Sequence, residues 1–219
     1  MNLTRPMIFA SLLTAANIAV GVWAALSLPA SDTIGMNYGV DGQPHAFLPI
    51  AEGVVIFPVV SAGVCALLLA MPRIAPTPKG LAESASAYSV LIIGLAALFL
   101  VCQAALVTQA IDPAFDVLRW VFMAAAVMLL LLGNLLGKVR HNAIFGIRTP
   151  DTRADPTVWD KTHRFAGRAM VIAAVLLAAV AAFYPNHVLL IAALVLASAG
   201  PPVAGAIHAR RLAAAARPG

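Results

Sequence analysis

Residues 133–168 read GNLLGKVRHNAIFGIRTPDTRADPTVWDKTHRFAGR. This stretch carries seven of the chain's 14 Lys and Arg and lies between two apolar runs. It opens with Gly133 and Gly137. Four residues apart near the end of a helix, they share a face on which small side chains let another helix approach closely. Asn134 lies beside them. Further along, Gly146 permits a sharp turn. Thr149-Pro150 requires an extended residue before the proline, which displays Arg148 on a constrained loop. Asp155-Pro156 then starts a helix, because aspartate caps the first turn and proline suits the first helical position.

On that helix, spacing places Trp159, His163, Gly167 and Met170 on one face and Asp160, Arg164 and Arg168 on another. Asp160 is set to pair with Arg164 at i,i+4. The segment reads as a short amphipathic helix at a membrane surface that feeds directly into the next span. Trp159 and His163 read as an anchored, partly buried pair.

Outward from this stretch the chain is lipid-soluble. Its 219 residues are 62% hydrophobic and 11% charged, with mean hydropathy +0.92. A soluble domain carries about a quarter charged residues. The apolar runs are long enough to cross a hydrocarbon core of about 30 Å. Six spans are expected, over about Met7–Leu28, Leu48–Met71, Ser84–Ile111, Val117–Gly137, Ala166–Tyr184 and Val188–Ile207. The fold class is therefore an all-α integral membrane bundle of about six transmembrane helices with a short cytoplasmic amphipathic helix. Residues 1–83 form an N-terminal module of two helices and an outer loop, and 84–219 a C-terminal module of four helices with the cytoplasmic stretch.

The first run has the secretory-signal alternative, with a small-residue cleavage site near Ala30. Signal cores are only about 7–15 residues, so a retained helix is favoured. Within the spans, Asn17 and Gln103 are expected to face neighbouring helices, and Glu52 to snorkel near a boundary. Pro72–Glu83 reads as a proline-rich loop and Pro185-Asn186-His187 as a turn. Gly200-Pro201-Pro202 must break or kink the last helix, since proline lacks the amide hydrogen. Cys65 and Cys102 lie in separate apolar runs and read as reduced core residues rather than a disulfide or a metal pair.

Charge predicts orientation. With six spans, 13 of the 14 Lys and Arg, including the tail's Arg210, Arg211 and Arg217, fall on one side, and only Arg119 on the other. The positive-inside rule makes the basic side cytoplasmic, with both termini there and the chain in the inner membrane. The net charge of +5 thus needs no nucleic acid to explain it. The opposite loop, Pro29–Phe47, has no Lys or Arg. It is dense in turn residues, and Asp41-Gly42 supports a tight turn. It reads either as an ordinary external loop or as a small cap facing a ligand through Asn37, Tyr38, Asp41, Gly42 and Pro44.

His141, Asp151, Asp155, Asp160 and His163 are the candidates for chemistry. No His-x-x-x-His, paired cysteines or Glu between histidines accompanies them. No catalytic residue, metal or cofactor is expected.

The string Gly133-Asn134, Asn142, Gly146-Ile147-Arg148-Thr149-Pro150 and Trp159-Asp160-Lys161-Thr162-His163-Arg164 closely resembles the SdpI family of bacterial membrane proteins. Ile34–Pro44 resembles the same family's N-terminal module. Gly137, His141 and Asp151 stand where proline, proline and tryptophan are usual, and Gly35 and Asn37 where proline and histidine are. The resemblance implies immunity to a secreted toxic peptide and signalling inward by holding a small DNA-binding repressor at the membrane. On that reading the outer loop meets the peptide. Gly133, Asn134, Asn142, Gly146, Arg148, Thr149, Pro150, Trp159, Thr162, His163 and Arg164 form the signature that faces the partner. A transporter lined by Asn17, Glu52, Gln103 and the Pro201-Pro202 break is the alternative, and a membrane-embedded enzyme comes third.

Overall fold

The computed structural model describes residues 3–29, 31–74, 78–184 and 186–216. The candidate cleavage site at Ala30, Pro185 of the expected turn and Arg217 of the tail lie outside the described residues. Among the described residues, six helices are long and apolar enough to cross a membrane: α1 (Thr4–Ser27), α2 (Ile50–Ile74), α4 (Ala85–Ile111), α5 (Val117–Leu136), α7 (Pro156–Phe183) and α8 (His187–Ala215). The shortest has 20 residues, which at about 1.5 Å per residue just spans a core of about 30 Å. Two short helices, α3 (Pro78–Glu83) and α6 (Pro150–Ala154), lie in the connections.

Among the described residues the packing forms four apolar clusters, the smallest of them Ala87, Val139 and Trp159. Ala24, Ile34, Ile50, Val107 and Val117 gather at one end of the bundle. Ala10, Cys65, Leu81, Tyr88 and Ile92 gather at the other, with Ile144 and Phe145 against them. Phe122, Ala126, Leu177, Ala181, Leu190 and Ala197 join α5, α7 and α8. Large apolar side chains such as Leu26, Ile172 and Leu196 point outward, as the hydrocarbon requires. Cys65 and Cys102 are free thiols.

Polar residues inside the spans behave unequally. Gln103 Nε2 donates to the Val54 carbonyl at 2.9 Å, tying α4 to α2. Asn17 is fully enclosed, yet neither amide atom has a hydrogen-bond partner among the described residues. Glu52 stands exposed in the first turn of α2, where a carboxylate suits the helix dipole.

Four expectations need correction. The outer loop is a β-hairpin, β1 (Thr33–Tyr38) antiparallel to β2 (Pro44–Pro49), so α2 begins at Ile50 instead of Leu48. Part of the Pro72–Glu83 loop is helical: α2 runs through Pro72, and α3 begins at Pro78, where proline tolerates a helix start. The amphipathic helix and the fifth span are one continuous 28-residue helix, α7. Helix α8 likewise runs through Pro201 and Pro202 without ending. Pro201 is packed in the interior, and packing against neighbouring helices lets membrane helices tolerate proline.

A pinned loop as the candidate functional site

The connection from α5 to α7 carries five of the eleven signature residues, and its backbone is fixed by side chains. Helix α5 ends at Gly137, after which the Lys138 and Val139 amides donate to the Leu135 and Leu136 carbonyls at 2.8 and 3.1 Å. Asn142 is almost completely buried and organises the first turn. Its Oδ1 accepts from the amides of Ile144 and Phe145 at 2.8 and 2.9 Å, while Nδ2 donates to the Arg140 carbonyl at 2.8 Å. The Arg140 amide donates to Ser84 Oγ at 2.9 Å, which joins the loop to the start of α4. Phe145 packs against Tyr88, with ring centres 5.6 Å apart.

The second half hangs on His163. Its Nε2 accepts from the Ile147 amide at 2.9 Å, and its Nδ1 lies 2.8 Å from the Trp159 carbonyl. The amide must donate and the carbonyl must accept. His163 is therefore neutral, with its proton on Nδ1. Its ring stacks on Trp159 at 4.1 Å, and Trp159 Nε1 donates to the Val139 carbonyl at 2.8 Å. Both rings are completely enclosed. Gly146, at φ 118°, passes over this pair. A β-carbon there would lie 2.5 Å from His163 Nε2, so the position needs glycine for both torsion and space.

Thr149 and Thr152 close the loop. The Thr149 side chain caps α6 by accepting from the Thr152 amide at 3.2 Å, and the Thr149 amide donates back to Thr152 Oγ1 at 2.9 Å. Thr152 Oγ1 also donates to the Ile147 carbonyl at 2.8 Å. Pro150 occupies the first turn. Asp155 caps α7, accepting from the Thr157 amide at 2.6 Å. Thr152, fully buried, was not among the signature residues. The Thr149-x-x-Thr152 spacing was its signal, a capping box with Thr in place of the usual Glu or Gln. Ser84 was missed too, and nothing in its own surroundings in the sequence marks it.

Gly133 and Gly137 do mark a close helix crossing. A β-carbon on Gly167 would come within 2.7 Å of the Gly133 carbonyl oxygen, and one on Gly133 within 3.0 Å of Met170 Cβ. Thr162 is buried near α8, and its hydroxyl has no partner among the described residues. Arg148 and Arg164 are exposed. Asp160 pairs with Arg140 at 3.5 Å, not with Arg164, because the loop brings the arginine of the preceding turn to it. Trp159 and His163 are interior, not displayed at a surface. They hold the loop's underside, and Arg148 is the signature side chain left facing outward from its turn.

At the other end of the bundle the hairpin is fastened in the same manner. The Tyr38 hydroxyl donates to Gln109 Oε1 of α4. Burial pushes the Tyr38 phenol up to about 12, against the opposing pull of that hydrogen bond. Gly42, at φ 77°, makes the turn and lies against His187 of α8, whose Nε2 is 3.2 Å from Asp116 Oδ1. Asp41 accepts from the Gln43 amide at 3.0 Å, which, with His45 at 3.5 Å, holds its carboxyl below the ordinary range. Asn37, Asp41 and His45 are exposed, and Pro44 is half-buried.

Both nitrogens of His163 are occupied, which leaves it no free lone pair for proton abstraction. Among the described residues no group of three or more His, Cys, Asp or Glu side chains is placed to hold a metal.

Comparison with known proteins locates the likeness on this loop and on the two helices after it. The sequence model of the SdpI/YfhL protein family matches residues 138–205. Over 69 residues the chain is 30% identical to the Immunity protein SdpI of Bacillus subtilis (strain 168). That alignment covers 32% of this chain and 33% of the relative, so the chain spans about a third of the length of the curated protein it matches. No solved structure matches. From the pinned loop through α7 to Gly205 of α8, the chain is similar to the SdpI/YfhL protein family, as the spacing of its signature residues implied.

Proposed function

We propose that this chain is a multi-pass membrane immunity protein that protects the cell carrying it against a membrane-active toxic peptide. One observation carries the reading. Residues 138–205, similar to a family that includes a protein named for immunity, form a preordered loop at one end of a six-span bundle together with the two helices after it. The 13-to-1 division of Lys and Arg supports a cytoplasmic location for that end and for both termini, in the inner membrane.

The two ends then have different tasks. The hairpin, with Asn37, Asp41 and His45 exposed at or near its tip, is the surface a peptide arriving from outside meets first. The pinned loop offers Arg148 to a cytoplasmic partner, for which a DNA-binding repressor is the proposed class. A loop already held by Asn142, His163 and Thr152 loses little ordering entropy on docking. No catalytic step is required of any residue.

The test is expression in peptide-sensitive cells, followed by survival and membrane potential under a panel of membrane-active peptides. The proposal expects cells with the protein to keep their potential under at least one peptide that depolarises matched controls. Protein present in the membrane without protection against any of the panel contradicts it. Protection that requires energised export of the peptide would make the chain a transporter instead.

A further inference from the structure

The glycine crossing of α5 and α7 leaves a groove that the pinned loop does not use. Its volume is about 560 Å³, with Gly133, Gly137 and Gly167 at its base. Asn134, Lys138, Arg164 and Arg168 surround it, and Val171 and Ile172 continue it along α7. Lys138, Arg164 and Arg168 reach its solvent side. None of the three cations is in an ion pair among the described residues. The acid nearest in sequence, Asp160, is engaged by Arg140 at 3.5 Å.

Depth along α7 identifies what belongs there. The helix has 28 residues, and a hydrocarbon core of about 30 Å takes only about 20 of them. Counted back from Phe183, the span reaches Arg164, which places Arg164 at the core boundary and Arg168 one turn, about 6 Å, deeper, from where its long side chain snorkels back to headgroup level. Ile172 lies one turn beyond Arg168 on the same face and is 62% exposed. The groove is thus cationic where phosphates lie and apolar one turn deeper, where acyl chains begin.

We infer that this groove is a binding site for an anionic phospholipid, with the phosphate held by Lys138, Arg164 and Arg168 and an acyl chain laid along Val171 and Ile172. Guanidinium groups match phosphate oxygens in paired hydrogen bonds, and basic pockets between spanning helices suit such headgroups. The carbonyls at the end of α5 oppose an anion, but three full cations outweigh a partial charge. A zwitterionic lipid would return a positive charge to the groove, so the preference is for net-negative lipid.

The experiment uses the full chain in nanodiscs of phosphatidylcholine doped with phosphatidylglycerol, and counts the lipids retained after mild detergent extraction by native mass spectrometry. The wild-type protein should retain phosphatidylglycerol over phosphatidylcholine. Arg164→Gln with Arg168→Gln should lower that preference about thirtyfold, given about 1 kcal/mol per basic residue near the surface. Arg210→Gln with Arg211→Gln removes the same charge elsewhere and should leave it nearly unchanged. Equal loss in both double variants, or none in the first, overturns the site. Displacement of the retained lipid by millimolar inorganic phosphate also overturns it, since it would show a site for free anion. If the first double variant fails to accumulate, Lys138→Gln makes the same comparison, with a smaller loss expected and no loss contradicting.

Discussion

Gly146→Ala puts one methyl group at the tightest point of the loop. The backbone there has φ 118°, where a side chain costs about 1–3 kcal/mol. The methyl would also start 2.5 Å from His163 Nε2, so the imidazole must leave its place. Moving it strands the half-buried Ile147 amide, and an unpaired donor there costs the lower part of the range of about 1–3 kcal/mol for a fully buried one. Together these give a loss of about 3 kcal/mol, read by denaturant unfolding in mixed micelles. The two contributions can be separated. With His163→Ala already present, the imidazole is gone and the amide already unpaired. Gly146→Ala should then cost only the torsional share, leaving a coupling of about 1–3 kcal/mol between the two sites. Equal costs in both backgrounds, within about 0.5 kcal/mol, would refute the claim that the imidazole pins this loop.

Three further outcomes are expected. Gly167→Ala pushes a β-carbon to 2.7 Å from the Gly133 carbonyl, and overpacking of this kind should destabilise by about 1–3 kcal/mol in the same assay. Gly63→Ala meets open space and should gain up to about 1 kcal/mol from helix propensity, so equal effects would contradict the close crossing. With its phenol pushed up to about 12, Tyr38 should stay protonated at pH values around 10, and a difference titration against Tyr38→Phe should show the missing group ionising near 12. For a raised pKa, the stabilisation is complete below the ordinary tyrosine value near 10 and fades as pH climbs from there towards about 12. Single cysteines at Gln43 and Arg153, in a chain lacking Cys65 and Cys102, should react oppositely with an impermeant maleimide in intact cells: 43 labelled, 153 not. Equal labelling would contradict the proposed orientation.

The six spans were legible because membrane insertion depends on a local quantity, the apolar length of a run. The glycine crossing was legible for a similar reason, since i,i+4 spacing fixes a face without knowledge of the partner. The hairpin was not, because Thr33–Tyr38 includes Gly35 and Asn37, and Pro44–Pro49 begins and ends with proline, all poor strand formers. The interior placement of Trp159 and His163 was hidden for a different reason. From helix spacing they share a face, but only the returning loop, with Gly146 laid over them, decides that the face is covered. Arg140 displaced Arg164 as the partner of Asp160 because the loop folds back onto α7, a contact 20 residues apart in sequence. Pro201-Pro202 does not end α8, because packing against neighbouring helices lets a membrane helix continue through proline.

The pinned loop depends most directly on the protonation state of one ring. Nitrogen-15 spectra of imidazole-labelled protein in nanodiscs, assigned by comparison with His163→Gln, read it at neutral pH. The structure predicts a neutral His163 with hydrogen on Nδ1 and an unprotonated Nε2 that accepts from the Ile147 amide, visible as a coupling across that bond. An imidazolium, or a tautomer with hydrogen on Nε2, would mean that His163 does not hold the loop.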